Sequence, residues 1–163
     1  MSRLFLLFLF ISANAWAVVD EFELKATFIF RFAQYTSWPP PPNKETLLCV
    51  LGQKEIFDEL EKFKDRKING NSIRVIKLPS IKTATDCNVV FIGARENFNS
   101  IMPMLRPLPI LVIGDSADAF EEKAVIVLVT EPNRISFKIN RTQANNVGLV
   151  MSAQLLKLAK EVR

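Results

Sequence analysis

Apolar residues fall along this chain in short unbroken blocks, and three of those blocks stop at a glycine. They are Leu47-Leu48-Cys49-Val50-Leu51-Gly52, Val89-Val90-Phe91-Ile92-Gly93 and Ile110-Leu111-Val112-Ile113-Gly114. Short apolar runs bounded by turn signals are the pattern of strands covered on both faces. Between them the period changes. Glu55 to Phe63 places Ile56, Phe57, Leu60 and Phe63 on one face of a short helix, Asn69-Gly70-Asn71 makes a turn, and Ile73 to Leu78 reads as a further strand. Ser80 to Asp86 reads as loop, and Glu96 to Leu105 as a helix or irregular segment whose far end is broken up by Pro103, Pro107 and Pro109. Asp115 to Lys123 reads as a polar loop. Ala124 to Thr130 and Arg134 to Asn140 then form a hairpin through Glu131-Pro132-Asn133. The chain closes on a long helix from Arg141 to about Val162, with Ala144, Val147, Met151, Leu155, Leu158, Ala159 and Val162 at helical spacing. The expected fold is α/β: a single three-layer domain with a mostly parallel sheet of five or six strands, helices on both faces, and a C-terminal hairpin plus long helix.

One segment fits no simple amphipathic scheme. Asp20 to Trp38 has helical character, yet Phe22, Leu24, Phe28, Ile29, Phe30, Phe32, Tyr35 and Trp38 point in directions that cover most of the circumference. A helix apolar nearly all round must be covered on more than one side. Either another element of the same chain buries it, or it is shared with a partner or second subunit. In the second case Phe28, Phe32, Tyr35 and Trp38 are the candidate anchors. Pro39-Pro40-Pro41-Pro42 forbids continuation and makes a stiff extended exit.

The start of the chain sets a compartment. Arg3 supplies a positive charge, Leu4 to Ile11 is apolar without a break, and Ala15-Trp16-Ala17 has the small-x-small form of a cleavage site, together the marks of a secretory signal peptide over residues 1–17. The apolar run is well short of the roughly 20 residues that a bilayer span needs. No cysteine follows the cleavage point to carry a lipid. Residues 18–163 are then the exported, soluble domain; Ala13-Asn14-Ala15 is an overlapping site that shifts its start by two residues.

Export gives the cysteines meaning. Cys49 and Cys87 are the only two, each in or beside a predicted strand, and an exported pair reads as one disulfide. A bridge closing a loop of that length stabilises by about 4 kcal/mol on the chain-entropy estimate. A redox switch is the functional alternative, but nothing in the flanking residues would depress a thiol pKa. Histidine is absent, which removes Ser-His-Asp and Cys-His nucleophilic machinery and every histidine-containing zinc site. The formal charge of +4 is scattered, with no basic block of the kind a nucleic acid would require. No residue pattern calls for a catalytic group, cofactor or metal.

Polar residues just past the glycine-closed strands are the remaining chemistry. In open α/β sheets ligands bind beyond the carboxyl ends of the strands, where Gln53, Arg95, Asp115 and Ser116 stand. Arg95 would suit an anion, Asp115 an amine or hydroxyl. The plainer reading is that each glycine permits a tight turn. No glycine-rich phosphate-binding motif is present. Asn140-Arg141-Thr142-Gln143 has the form of a capping box for the last helix, and Glu121-Glu122 beside Lys123 reads as a solvated turn.

Five stretches in order carry a resemblance. They are Leu24-Lys25-Ala26-Thr27-Phe28-Ile29-Phe30-Arg31-Phe32-Ala33 closed by Trp38-Pro39; Leu48-Cys49-Val50-Leu51-Gly52; Cys87-Asn88-Val89-Val90-Phe91-Ile92; Arg134-Ile135-Ser136-Phe137-Lys138-Ile139-Asn140; and Gly148 through Ala159. Their order and spacing resemble the YfiR family of exported proteins over essentially the whole of residues 18–163. The resemblance implies a periplasmic regulator, not an enzyme, that represses a membrane-bound diguanylate cyclase through the cyclase's periplasmic domain. Release of the repression raises cyclic di-GMP and promotes biofilm. It further implies a homodimer and a disulfide between Cys49 and Cys87. Some members carry a second cysteine pair near Asp118 to Val129, which this chain lacks, so control through that bridge does not carry over. Glycines common in the family before the Ala124 strand are here Glu122-Lys123. A small-ligand sensory module using the strand-end crevice is the alternative expectation.

Overall fold

A computed structural model of the protein describes residues 20–42 and 44–163. The expected signal peptide, residues 1–17, and its cleavage sites lie outside the described residues.

The elements run α1 (Glu21–Gln34), β1 (Thr36–Ser37), β2 (Glu45–Leu51), α2 (Lys54–Glu61), β3 (Lys67–Ile68), β4 (Asn71–Lys77), β5 (Val89–Ile92), α3 (Phe98–Leu105), β6 (Leu111–Gly114), α4 (Ala117–Glu121), β7 (Ile126–Glu131), β8 (Arg134–Ile139), α5 (Arg141–Asn146), β9 (Val150–Met151), α6 (Ala153–Leu158) and β10 (Glu161–Val162). An eight-stranded sheet has the order β10-β8-β7-β6-β5-β2-β4-β3. Its centre, β4-β2-β5-β6-β7, is parallel; β8 and β3 run antiparallel to their inner neighbours, and β10 is parallel to β8. The expected three-layer α/β fold is therefore present. The six strands foreseen are β2 and β4 to β8, while β3 and β10 are two-residue edge strands too short to leave a periodic trace.

The period-two alternation of the strands builds two cores. Leu48 and Val50, Val89 and Phe91, Leu111 and Ile113, and Ile126 and Leu128 face α1, α2 and the C-terminal helices. Cys49 and Leu51, Val90 and Ile92, Val112 and Val127 face the other way, against α3 and α4. Residues of β5 and β6 are all buried, which is why those strands read as continuous apolar runs. A disulfide joins Cys49 to Cys87 on the α3 side, across 38 residues of sequence.

Four local expectations are corrected. The first helix stops at Gln34 and does not reach Trp38. Thr36 donates its hydroxyl to the Phe32 carbonyl at 2.8 Å, Thr36-Ser37 pairs with Val150-Met151 as a two-stranded ribbon, and Trp38 precedes a proline, a position that disfavours helix. The helix starts where expected, with Asp20 accepting from the Phe22 amide at 2.8 Å. The long C-terminal helix is two short ones. Gly148, with φ +77°, breaks the chain out of α5, and the Leu149 amide closes back on the Ala144 carbonyl at 2.9 Å. A new helix then starts at Ser152, whose hydroxyl accepts from the Leu155 amide at 3.1 Å. Finally, Asp115 to Lys123 is not all loop, for it contains α4. Of the capping box only half forms: Asn140 accepts from the Gln143 amide at 2.8 Å, while the Gln143 side chain donates to the Arg106 carbonyl at 2.9 Å.

Candidate functional site

Helix α1 is apolar on two sides because it has two jobs. Ala26, Ile29, Phe30 and Ala33 are fully buried in the core shared with the sheet. On the opposite side Leu24, Thr27, Phe28, Arg31, Phe32 and Tyr35, spaced three and four apart, form one wall of a groove of about 240 Å³. Phe137 of β8 and Leu155 and Leu158 of α6 complete it. Three rings cluster at its base: Phe28 stacks on Phe32 at 5.7 Å between centroids, and Phe137 is tilted against both, at 5.8 Å from Phe28 and 4.8 Å from Phe32. Phe32 is buried, Phe28 and Tyr35 are half-buried, and Leu158 is 67 % exposed.

The four proposed anchors thus separate. Phe28 and Tyr35 stand at the groove's accessible wall and Phe32 is its floor. Trp38 belongs elsewhere: it is 6 % exposed and sits in the core beyond the end of α1, so it presents no ring to a partner. The sequence reading missed Leu24, Phe137, Leu155 and Leu158. The available signal was Gly148, which, read as a helix stop, would have brought a separate α6 alongside α1.

The strand-end residues also separate. Gln53 and Arg95 line a cavity of about 200 Å³ with Phe22, Gly52 and Gly93. Asp115 and Ser116 line a different one, of about 430 Å³, with Asp118, Glu121 and Lys138 among its walls. The first turns of α1 reach over the strand ends here. Phe22 enters the first cavity, and Lys25 Nζ meets Asp115 Oδ2 at 2.8 Å and Glu21 Oε1 at 2.6 Å. Lys25 and Asp115 side chains are each only 4 % exposed. Burial pulls the Lys25 pKa down, but its hydrogen bonds to Asp115 and Glu21 outweigh that, and the ammonium stands above its ordinary value. Asp115 Oδ2 is therefore engaged by Lys25 within the fold.

Two of the glycines at these strand ends serve packing. A Cβ on Gly114 would lie 2.3 Å from the Cβ of Ala119 in α4, and one on Gly52, whose φ is +87°, would lie 2.2 Å from the Glu96 carboxylate. Close approach of protein to protein, not of ligand to backbone, is what these positions require. Among the described residues no group of acidic or cysteine side chains gathers to hold a metal ion.

Comparison with known proteins adds the following. The family model described as YfiR/HmsC-like matches residues 22–160. No curated protein matches the sequence. Solved structures of similar shape include the ABC domain in complex with L-Trp from Streptococcus pneumonia, at 12% identity and a TM-score of 0.56, covering 85% of this chain and 60% of that one. Another is a conserved domain protein from Vibrio cholerae O1 biovar El Tor, at 12% identity and a TM-score of 0.56, covering 88% of this chain and 60% of that one. The chain thus spans about three fifths of each. At such identity the likeness is one of fold.

Proposed function

The chain belongs to the YfiR/HmsC-like family, and on that premise we propose that it is a periplasmic regulator that represses an inner-membrane diguanylate cyclase by direct contact with the cyclase's periplasmic domain. In this reading it turns over no substrate, works as a homodimer, and restrains cyclic di-GMP output and biofilm formation until a signal releases it. The observation that carries the reading is the groove between α1 and α6. Its rim, Phe28, Tyr35 and Leu158, is apolar and accessible. Aromatic side chains seated in a partner's pocket are the residues that dominate protein recognition, each worth about 2 kcal/mol or more when central.

The test is a double substitution, Phe28→Ser with Leu158→Asp, in a strain whose cyclic di-GMP is set by the candidate cyclase. Repression should be lost and cyclic di-GMP should rise, while the far-ultraviolet spectrum of the purified protein stays unchanged. A variant that is folded and still represses removes the groove from the mechanism. Recovery of an inner-membrane cyclase on the immobilised wild-type protein, and not on the variant, would identify the partner.

A second reading, a small-ligand sensor, draws on the Gln53–Arg95 cavity. Its wall holds the exposed Arg95, the Glu55 carboxylate, and Gln53, whose buried Oε1 has no hydrogen-bond partner among the described residues and would accept from a hydroxyl of a hydrogen-bearing anion. A small anion such as phosphate should bind there and lose at least tenfold in affinity on Arg95→Ala. Equal affinity for the two proteins discards the site.

A further inference from the structure

The groove between α1 and α6 is charged at one place only. No acidic side chain lines it, and Arg31 is the one lining residue that carries charge at neutral pH. Thr27 already donates its hydroxyl to the Glu23 carbonyl at 3.0 Å. Arg31 donates from Nη1 to the neutral Gln34 Oε1 at 2.9 Å and meets no carboxylate within ion-pair distance among the described residues. Its other N–H groups remain for an outside acceptor, and Tyr35, four residues on along the same face, adds a phenolic hydroxyl. The rest of the lining is apolar: Leu24, Phe28, Phe32, Phe137, Leu155 and Leu158.

We propose that this groove binds a free medium-chain fatty acid anion of about eight carbons, its aliphatic chain along the rings and its carboxylate on Arg31. Shape and charge select this guest together. The α1 wall from Leu24 to Tyr35 is roughly 16 Å long at the helical rise, so the space runs as a trough and suits an extended chain. An apolar cavity of about 150 Å³ holds a benzene of six heavy atoms, so the 240 Å³ here holds roughly ten, the size of octanoate. An alkylammonium would bring a like charge to the guanidinium, and a neutral alcohol would leave it unpaired. A diacyl phospholipid carries a second chain for which the groove has no room. Occupancy covers Phe28 and Leu158, the rim residues offered above to the cyclase, so such an anion would release the repressed enzyme. That consequence rests on the regulatory reading, whereas the binding itself does not.

Titration calorimetry of the purified protein at neutral pH with octanoate, hexanoate and octanol tests the site, together with nuclear Overhauser contacts from the bound chain. The expected result is saturable binding of octanoate, with chain contacts to the Phe28 and Phe137 rings. Hexanoate should bind at least fourfold more weakly, since each fully buried methylene is worth about fourfold and two are removed. Arg31→Gln, a change at an exposed position, should weaken octanoate at least threefold and leave octanol unmoved. Octanoate that fails to saturate overturns the proposal. So does hexanoate of equal affinity, or an octanoate affinity unchanged by Arg31→Gln. Binding to vesicles of anionic phospholipid with none to free octanoate assigns the face to a membrane and overturns it as well. Self-association abolished by Leu158→Asp, again without octanoate binding, assigns the face to a second copy of the chain and does the same. Octanoate that binds yet displaces no captured cyclase upholds the site and removes only its consequence for repression.

Discussion

The strand-end crevice and the α1–α6 groove are opposite kinds of surface built by one helix. At its first turns α1 brings Lys25 to Asp115 and closes a polar region on itself. Along its outer side the same helix leaves Phe28 and Tyr35 with only part of their area covered. The crevice carries charges that find each other inside the fold; the groove carries apolar surface that does not. Of the polar side chains at the place where α/β sheets usually bind ligands, Asp115 is thus tied to Lys25 inside the fold, while the rings on the outer side of α1 stay incompletely covered.

The contrast can be broken in three ways. The largest effect should come from Phe32→Ala at the groove floor, about 4 kcal/mol of stability by the usual loss of burial plus a cavity, read from urea midpoints; Phe28→Ala at the rim should fall far short of that. Comparable losses at both positions would mean that the rim is core and the groove is no contact surface. Next, Asp115→Ala should destabilise by about 2 kcal/mol because it leaves the buried Lys25 ammonium with Glu21 as its remaining carboxylate partner, and adding Lys25→Met should recover most of the loss. If the single substitution is harmless, the pair is not what closes the crevice and the site is open to a ligand after all. The smallest effect concerns pH. Glu131 is held at about 2 against an ordinary 4.5, first by the Lys160 ammonium and then by Arg134. A depressed carboxylate stabilises the fold above its unfolded pKa and loses that contribution as pH falls toward the folded one. Stability of the wild type should therefore fall more than that of Glu131→Gln between pH 4.5 and pH 2, by a slight margin because these side chains lie at the surface. Parallel pH profiles would show that the contacts among these three are idle.

Much of the body was legible because burial on both faces writes itself into sequence as continuous apolar runs, as in Val89 to Ile92 and Leu111 to Ile113. The two-residue strands at the edges were not, since pairing of Lys67-Ile68 or Glu161-Val162 is decided by neighbours in space. The C-terminal segment misled for a specific reason. Ala144 and Leu155 bury into the same core from two short helices, so their spacing imitates one long helix, and Gly148 and the capping Ser152 were the local signs of the break. The all-round apolar character of α1 was visible, and it did signal a second face. What covers that face comes from Phe137 and Leu155, more than a hundred residues downstream, which no local pattern can join to Phe28. Trp38 was drawn into the anchor set by extending the helix through Thr36, where the ribbon with Met151 intervenes.

The bond between Cys49 and Cys87 lies beneath α3, on the far side of the sheet from Phe28 and Leu158. Loss of that link would loosen the layer behind the strands and leave the α1–α6 groove in place for as long as the sheet survives. Thiol chemistry in the protein's surroundings would then govern how long each molecule lasts, acting as a clock on its abundance rather than as a dial on the shape of its groove.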